Sequence, residues 1–318
     1  MESIRPFVKW AGGKGSLIEQ LTKYYPVELE NNEIEAYIEP FVGGGAVLIN
    51  ILQNYKVKNV YAFDINKDLI NCYKVIQNNV DDLIKELKIK QDKFLNTEIE
   101  NREKLFYDIR NEYNSYSLDE KEQSVKRASE FIFLNRTCFN GLYRVNKNGQ
   151  FNVPFGKYKN PKICDEVNLI NLSKLIKNVI FIYGDYRESE NYIENSEKTF
   201  MYFDPPYRPL KRNNGFTSYT KEDFDDVEQM KLSQFYRMLD SYGVKLMLSN
   251  SNPKNTNPND NFFEDLYDNF NINEVYANRM INSDKNGRGK ISELLITNYE
   301  ECIGCTQQNV TMKMAISN

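Results

Sequence analysis

The most informative absence in this chain of 318 residues is histidine, which does not occur at all. A mechanism that needs an imidazole base is therefore excluded. Cysteine is sparse, odd in number and scattered, which favours reduced thiols over a disulfide framework. The five cysteines are Cys72, Cys138, Cys164, Cys302 and Cys305. The last two form a C-x-x-C pair, but no second pair and no histidine is present to complete a zinc site, so we predict no metal.

Long apolar runs and a strong net charge are also missing. No run of 18 or more apolar residues occurs and the first residues hold no signal-peptide core, so we expect a cytoplasmic protein without a membrane partner. The formal net charge of −4 argues against a protein that coats nucleic acid by bulk charge. Any nucleic-acid site must be local. The length suits one large α/β domain with a smaller inserted module.

The sequence Asp204-Pro205-Pro206-Tyr207 follows an apolar run, Thr199–Phe203, that predicts a buried strand. Two consecutive prolines prevent both a helix and a strand ladder, so the backbone must turn at the carboxyl end of this strand. In an open α/β sheet, that edge is where ligands bind.

The turn would offer a carboxylate, a carbonyl and an aromatic face to one cleft. Asp204 and the Pro205 carbonyl could accept both hydrogens of an exocyclic amine, while Tyr207 stacks on a planar ring. A strand followed by a proline-rich turn with no chemistry is the alternative, and this motif alone does not decide between them.

The N-terminal segment places the single tryptophan, Trp10, and Lys14 beside the glycines at 12 and 13. A phosphate loop is rejected, because Val8 and Gly15 stand where that motif needs glycine and Ser or Thr. A stacking ring and a cation next to approachable backbone suit a ligand site. A tryptophan that simply packs a turn remains the alternative.

Residues 36–64 have the order strand, glycine turn, helix, strand, acid. The glycines at 43–45 allow a ligand to approach the main chain, and Asp64 lies 64 − 43 = 21 residues after the first of them. An acid at that distance commonly binds ribose hydroxyls. The dinucleotide fingerprint wants a third glycine where Leu48 stands, which disfavours NAD.

Further strands are predicted at 179–183, 244–248, 271–280 and 290–299, the last two flanking a basic tip at 283–289. Helices are predicted at 17–25, 46–52, 69–90, 103–111 and 120–134.

Residues 131–164 contain basic, aromatic and amide side chains without one acid, and the sequence at 145–151 predicts a hairpin with an Asn-Gly turn. Such a hairpin could read a DNA groove. The loop at 208–221 is likewise basic.

In this order the motifs resemble the Dam and DpnM group, the D12 class of DNA adenine-N6 methyltransferases. The matching stretches are FVKWAGGKGSL at 7–17, EPFVGGGAV at 39–47, NGLYRVNKNGQFNVPFGKYKNPKI at 140–163, DPPY at 204–207, FTSYT at 216–220 and GRGKISELLITNYE at 287–300. The resemblance implies an α/β fold with a Rossmann-like class I methyltransferase sheet. It also implies an inserted, mainly helical target-recognition domain that carries the β-hairpin.

On this resemblance, residues 1–66 and 169–300 form the catalytic domain that binds S-adenosyl-L-methionine, 67–168 recognise DNA, and 301–318 are a polar tail. The implied catalytic residues are Asp204, Pro205, Pro206 and Tyr207. The implied cofactor-binding residues are Trp10, Lys14, Glu39, Phe41, Gly43, Asp64, Asp185 and Asp204. The implied DNA-binding residues are Lys9, Arg136, Phe139, Asn140, Leu142, Arg144, Asn146, Pro154 and Tyr158.

The resemblance implies methylation of adenine N6 in double-stranded DNA, mostly at GATC. We expect the adenine to flip onto Tyr207, with Asp204 and the Pro205 carbonyl holding its amine during direct attack on the methyl group. Arg144 is suited to a bidentate contact with guanine. A cognate restriction endonuclease fits such a system without a stable complex, and the enzyme is expected as a monomer or weak dimer. An RNA or small-amine methyltransferase and a non-catalytic DNA-binding protein are the rivals.

Overall fold

The computed structural model describes residues 4–117, 124–208, 224–278 and 290–300, and these fold around one seven-stranded sheet. The strands are β1 (Ala36–Glu39), β2 (Asn59–Asp64), β3 (Val179–Tyr183), β4 (Thr199–Phe203), β5 (Lys245–Ser251), β6 (Asn271–Asn278) and β7 (Lys290–Thr297). Their order is β3-β2-β1-β4-β5-β7-β6, with β1 to β5 parallel and β7 antiparallel to both of its neighbours. The mixed α/β prediction and the predicted strands are confirmed, with ends that differ by a few residues.

Helices flank the sheet and fill the stretch between β2 and β3. They are α1 (Ile18–Leu21), α2 (Val27–Glu30), α3 (Ala46–Asn54), α4 (Lys67–Asn78), α5 (Val80–Asn96), α6 (Arg102–Asn114), α7 (Val125–Thr137), α8 (Glu166–Leu175), α9 (Asp226–Ser241) and α10 (Phe262–Leu266). Among the described residues, no helix has both the length and the apolar character needed to cross a bilayer.

Two helix predictions were wrong in detail. The helix predicted over 69–90 is two helices, because Asn79 leaves the helical region with φ −137° and ψ 36°. The helix predicted over 17–25 is reduced to α1 and short 3₁₀ turns, and it ends at Tyr25 with ψ 146°. Tyr25 precedes Pro26, and the proline ring excludes the helical conformation from the residue before it.

The strand order reverses between β1 and β4, which are neighbours although the chain visits β2 and β3 between them. Ile38 of β1 pairs with Met201 of β4, so the ends of these strands are adjacent. Glu39 closes β1, and Asp204 follows β4. A reversal of this kind opens a crevice at the carboxyl ends of parallel strands, and this crevice is where α/β sheets bind ligands.

Buried apolar side chains cover both faces of the sheet. Along β4, Phe200 and Tyr202 join one core while Met201 and Phe203 join the other, as strand alternation requires. The first core continues without a break into the helical stretch, where Phe94, Phe106 and Phe133 are buried. The helices between β2 and β3 are therefore held to one face of the sheet by shared apolar packing.

The turn between β1 and α3 depends on glycine at position 45. Gly45 has φ +73°, and a Cβ built there would lie 2.4 Å from the hydroxyl oxygen of Tyr73. That hydroxyl donates to the Gly43 carbonyl at 2.9 Å, so it cannot move away without losing a hydrogen bond. Both the positive φ and the lack of space therefore exclude a side chain at position 45.

This geometry gives a stability prediction with a matched control. Gly149 has a similar φ of +76° but no atom within 4 Å of its ideal Cβ. Gly149→Ala should cost about 1 kcal/mol of unfolding free energy from backbone strain alone. Gly45→Ala should cost about 1 to 3 kcal/mol more, because it adds a steric clash. Urea unfolding measures both, and equal losses would contradict the role given to Tyr73.

Candidate functional site

An ion pair lies at the reversal of the strand order. The ammonium of Lys14 is 2.7 Å from Oδ1 of Asp204, and the lysine side chain is only 3% exposed. The same ammonium donates to the Gly12 carbonyl at 2.8 Å. The N-terminal segment and the turn after β4 are therefore joined by a shielded contact between opposite charges.

Tyr207 completes this contact with a residue from the antiparallel part of the sheet. Its ring centroid lies 4.7 Å from the Lys14 ammonium, and its hydroxyl donates to Oε2 of Glu293 at 2.5 Å. Glu293 Oε2 is also 3.9 Å from the Lys14 ammonium. Sequence reasoning missed Glu293. The available signal was an acid within the otherwise uncharged run from Ile291 to Ile296.

Burial controls the charges at this site. It raises the pKa of Asp204 to about 6, although the Lys14 ammonium opposes the rise. Burial, followed by the charges of Asp204 and Glu293, raises the pKa of Tyr207 well above its usual value. Near neutral pH, Asp204 is thus an acceptor and Tyr207 is a protonated donor.

The two proline carbonyls of the turn have different surroundings. The Pro206 carbonyl accepts from Nε2 of Gln229 at 3.1 Å, and Oε1 of Gln229 accepts from Nδ2 of Asn250 at 3.0 Å. Both amide side chains are fully buried, so they fix the backbone of the turn. The Pro205 carbonyl accepts no hydrogen bond from the described ranges of the chain. Sequence reasoning also missed the supporting pair, Gln229 and Asn250.

Asp64 holds the glycine turn from the end of β2. Its oxygens accept from the Gly43 N–H at 3.0 Å and from the Asn66 N–H at 2.8 Å, and burial raises its pKa to about 6. Trp10 packs on the same turn, because a Cβ at Gly43 would lie 2.9 Å from its ring. Trp10 also stacks on Tyr143, with ring centroids 5.5 Å apart. The predicted residues Trp10, Gly43 and Asp64 are thus brought together.

Glu39, Phe41 and Asp185 complete the row of strand ends. Glu39 is buried and accepts from the Tyr37 hydroxyl at 2.7 Å, and burial raises its pKa well above the usual value. Phe41 stacks on Tyr186 at 5.3 Å between centroids. Burial tends to raise the pKa of Asp185, but hydrogen bonds from Arg187 at 2.6 and 3.0 Å outweigh it and lower the pKa. Together with Asp64 and Asp204, these acids lie at or just after the ends of the four adjacent strands β3, β2, β1 and β4.

Lys9 lies apart from the ion pair and reaches the basic segment at 131–164. Its ammonium is 5.1 Å from the ring centroid of Tyr158. The side-chain amide of Asn135 bonds both the N–H and the carbonyl of Lys9, each at 2.9 Å, and also bonds the Gly141 carbonyl at 2.9 Å. One buried amide thus fixes the N-terminal segment against the loop that follows α7.

Arg144 is held in place by Asn152 from the opposite side of the hairpin. Its Nε donates to Oδ1 of Asn152 at 2.7 Å, and its Nη2 lies 3.3 Å from the Asn152 carbonyl. The predicted hairpin is confirmed, with a bridge between Val145 and Phe151 and a φ of +76° at Gly149. These contacts orient the guanidinium before any ligand arrives.

The other predicted DNA-binding residues are of two kinds. Some side chains are exposed, and others form hydrogen bonds within the protein. Phe139 is 51% exposed, and Asn140 has φ +56° beside it. Pro154 is exposed, whereas Leu142 is partly buried against the core. Two further side chains have intramolecular partners. Oδ1 of Asn146 accepts two backbone N–H groups of its own turn, and Nη2 of half-buried Arg136 donates to the Phe7 carbonyl.

Several predicted features lie outside the described residues. They are most of the basic loop at 208–221, the FTSYT stretch at 216–220, the basic tip at 283–289, Cys302, Cys305 and the tail at 301–318. Within the described ranges, no group of three or more Cys, Asp or Glu side chains could hold a metal ion.

Comparison with known proteins gives consistent results. The family model described as D12 class N6 adenine-specific DNA methyltransferase matches residues 10–281. The type II methyltransferase M.MjaIII of Methanocaldococcus jannaschii is 53% identical over 298 residues, which cover 93% of this chain and 99% of that protein. The type II methyltransferase M1.LlaDCHI of Lactococcus lactis is 37% identical and covers 93% and 96%. A DNA adenine methylase of Serratia marcescens is 32% identical and covers 93% and 98%.

The Lys14–Asp204 ion pair gives a prediction that does not depend on activity. Lys14→Met removes the cation that opposes the effect of burial, so the pKa of Asp204 should rise above its value of about 6. Carboxyl ¹³C NMR, assigned by comparison with Asp204→Asn, measures this titration. Lys9→Met is the control, because that exposed lysine lies over Tyr158 and should leave the titration unchanged. An unchanged or lower pKa in Lys14→Met would contradict the assignment.

Proposed function

Because the chain belongs to the D12 class N6 adenine-specific DNA methyltransferase family, we propose that it transfers a methyl group from S-adenosyl-L-methionine to adenine N6 in double-stranded DNA. We further propose that the target lies in GATC and that the adenine flips into the pocket formed by residues 204–207. The observation that carries this proposal is that the glycine turn follows β1 while Asp204 and Tyr207 follow β4, its neighbour at the reversal of the strand order, and that the N-terminal segment contacts both turns.

The residues at the strand ends fit S-adenosyl-L-methionine. The glycine turn has positive φ at Gly43 and Gly45 and leads directly into α3, and the half-buried Gly43 is the part of this turn that a ligand could approach. Asp64 would bind ribose hydroxyls, because each of its oxygens keeps a lone pair beyond the backbone hydrogen bond it accepts. Asp185 would lie near the cofactor adenine, and Phe41 and Gly43 would line the turn around its methionine part. Trp10, Lys14 and Glu39 would contact the cofactor as well. When bound, the cofactor supplies an electrophilic methyl group on a sulfonium.

The chain's own residues would activate the target amine. Adenine N6 is a weak nucleophile, because its lone pair is delocalised into the ring. Asp204 and the Pro205 carbonyl would accept the two amine hydrogens, favour a pyramidal nitrogen and stabilise the positive charge that develops there. The Asp204 carboxylate can accept an amine hydrogen while Lys14 remains bound, because its oxygens carry several lone pairs.

Tyr207 and the buried surroundings would orient the base. The aromatic ring offers a flat face for stacking, and stacking on an aromatic side chain is a common way to hold an extruded base. Positioning of the amine opposite the methyl group would provide much of the remaining rate gain, without a covalent enzyme intermediate.

DNA recognition would fall to residues 67–168 together with Lys9, while residues 1–66 and 169–300 form the catalytic domain. The exposed Phe139, the oriented Arg144 and Tyr158 lie on residues 131–164, which contain no acid. Lys9 joins them from the N-terminal segment, because its ammonium lies over the Tyr158 ring. Arg144 would contact guanine in the site, and Phe139 would insert beside the extruded base. Asn140, Leu142 and Pro154 would line the same surface.

The central test is methyl transfer by variants of Asp204. Asp204→Ala should reduce the single-turnover rate about 100-fold or more, because it removes an acceptor for developing charge in a buried site. The assay follows label from S-adenosyl-L-methionine into a duplex containing GATC, and digestion with mass spectrometry identifies N6-methyladenine. Asp82→Ala removes an exposed carboxylate on α5 and should retain full activity. Undiminished transfer by folded Asp204→Ala would refute the proposal.

Arg144 gives a separate test of site recognition. Arg144→Ala should lose about 1 to 3 kcal/mol of discrimination against duplexes altered at the guanine of GATC. Lys147→Ala removes an exposed positive charge from the same hairpin and should weaken binding to all sequences about equally. Ratios of kcat/KM on matched and altered duplexes measure both effects. Full discrimination by Arg144→Ala would show that another side chain reads that base.

A further inference from the structure

We propose that Glu293 is a positioning residue of the methyl-transfer site, which fixes the ring of Tyr207 through the tyrosine hydroxyl. This inference rests on the proposed function, in which the ring of Tyr207 supports the target base. Glu293 reaches the site from β7, far along the chain from the residues at 204–207.

The backbone of Glu293 is held on both sides. It pairs with Ser251 of β5 and with Val275 of β6 in the antiparallel part of the sheet. Its carboxylate therefore projects from a fixed point. Tyr207, in contrast, lies in an irregular segment after β4, where no strand ladder holds the backbone. A hydrogen bond from a segment of this kind to a fixed strand restricts the orientation of the tyrosine ring.

The contact with the hydroxyl is the strongest that Glu293 makes at this site. The oxygens of Tyr207 and Glu293 are 2.5 Å apart, which is typical of a hydrogen bond from a neutral hydroxyl to a carboxylate. The distance from Glu293 to the Lys14 ammonium is 3.9 Å, which is too long for a hydrogen bond. Lys14 has a closer carboxylate partner in Asp204, at 2.7 Å. The hydrogen bond that Glu293 accepts from the Tyr207 hydroxyl should therefore account for most of the effect of Glu293 on methyl transfer.

Three substitutions distinguish a positioning role of Glu293 from a purely electrostatic one. Glu293→Gln keeps an oxygen that can accept the hydroxyl but removes the charge, whereas Glu293→Ala removes both. Tyr207→Phe keeps the ring that stacks but removes the donor. If Glu293 acts through the hydroxyl, Glu293→Ala and Tyr207→Phe should have similar defects and Glu293→Gln a smaller one.

The experiment is a single-turnover methyl-transfer series at saturating S-adenosyl-L-methionine and duplex. Glu293→Ala and Tyr207→Phe should each lower the rate constant about 10-fold or more, because a loosely held ring misplaces the amine. Glu293→Gln should recover most of that loss. The double variant Glu293→Ala/Tyr207→Phe should be no slower than Tyr207→Phe alone, because that single variant already lacks the hydroxyl, which bonds Glu293 and also interacts with Asp204. The KM for S-adenosyl-L-methionine should stay within a few-fold of the wild-type value.

Glu274→Ala is the matched control, because Glu274 lies on the neighbouring strand β6 and bonds Asn252 instead of Tyr207. It should leave the rate constant unchanged. A wild-type rate in Tyr207→Phe, a defect in Glu293→Gln as large as in Glu293→Ala, or multiplying defects in the double variant would each overturn the inference. If Glu293→Ala does not fold, Glu293→Gln and Tyr207→Phe still decide the question.

Failure here is distinguishable from failure of the proposed function. If Asp204→Ala is inactive while Glu293→Ala and Tyr207→Phe are fully active, only the positioning role of Glu293 is lost. If Asp204→Ala is fully active, the proposed amine site itself is wrong, whatever the Glu293 variants do.

Discussion

The ion pair between Lys14 and Asp204 is the interaction on which the site depends. A carboxylate removed from water pays a large desolvation penalty, and that penalty is reduced only when an opposite charge or hydrogen-bond donors are close. Here the ammonium comes from the N-terminal segment and the carboxylate from the end of β4, at 2.7 Å. Because β4 lies beside β1 after a crossover, sheet topology brings these distant parts of the chain together. The contact between Lys14 and Asp204 therefore depends on the pairing of β1 with β4.

Much of the fold could be predicted from the sequence, because each strand combines a short apolar run with a turn or an acid at its end. Thr199–Phe203 was predicted with its observed bounds, and so was Val179–Tyr183. The helix α9 was missed, although its buried positions 229, 232, 236 and 239 have helical spacing and Asp225 caps its first turn. The many polar residues of α9 made this helical spacing difficult to recognise in the sequence. The break at Asn79 was missed, because the pair Asn78-Asn79 in an amphipathic stretch does not by itself specify a turn.

The composition of the site was predictable, but the partners of its side chains were not. The sequence identifies Asp204, Tyr207 and Asp64 by their places at strand ends, which follow from local patterns. The contact of Glu293 with Tyr207 requires the register of an antiparallel strand 86 residues further along the chain, and no local pattern encodes such a register. The same limit applies to Arg136, whose charge indicates a DNA contact although its guanidinium bonds the Phe7 carbonyl.

The N-terminal segment explains how these parts keep a common geometry. Lys9 is clamped by Asn135 and lies over Tyr158, Trp10 packs between the glycine turn and Tyr143, and Lys14 pairs with Asp204. Lys9, Trp10 and Lys14 all lie within residues 9–14. A shift at one contact is therefore transmitted to the others through covalent geometry and close packing. The basic segment, the glycine turn and the turn at 204–207 cannot therefore move independently.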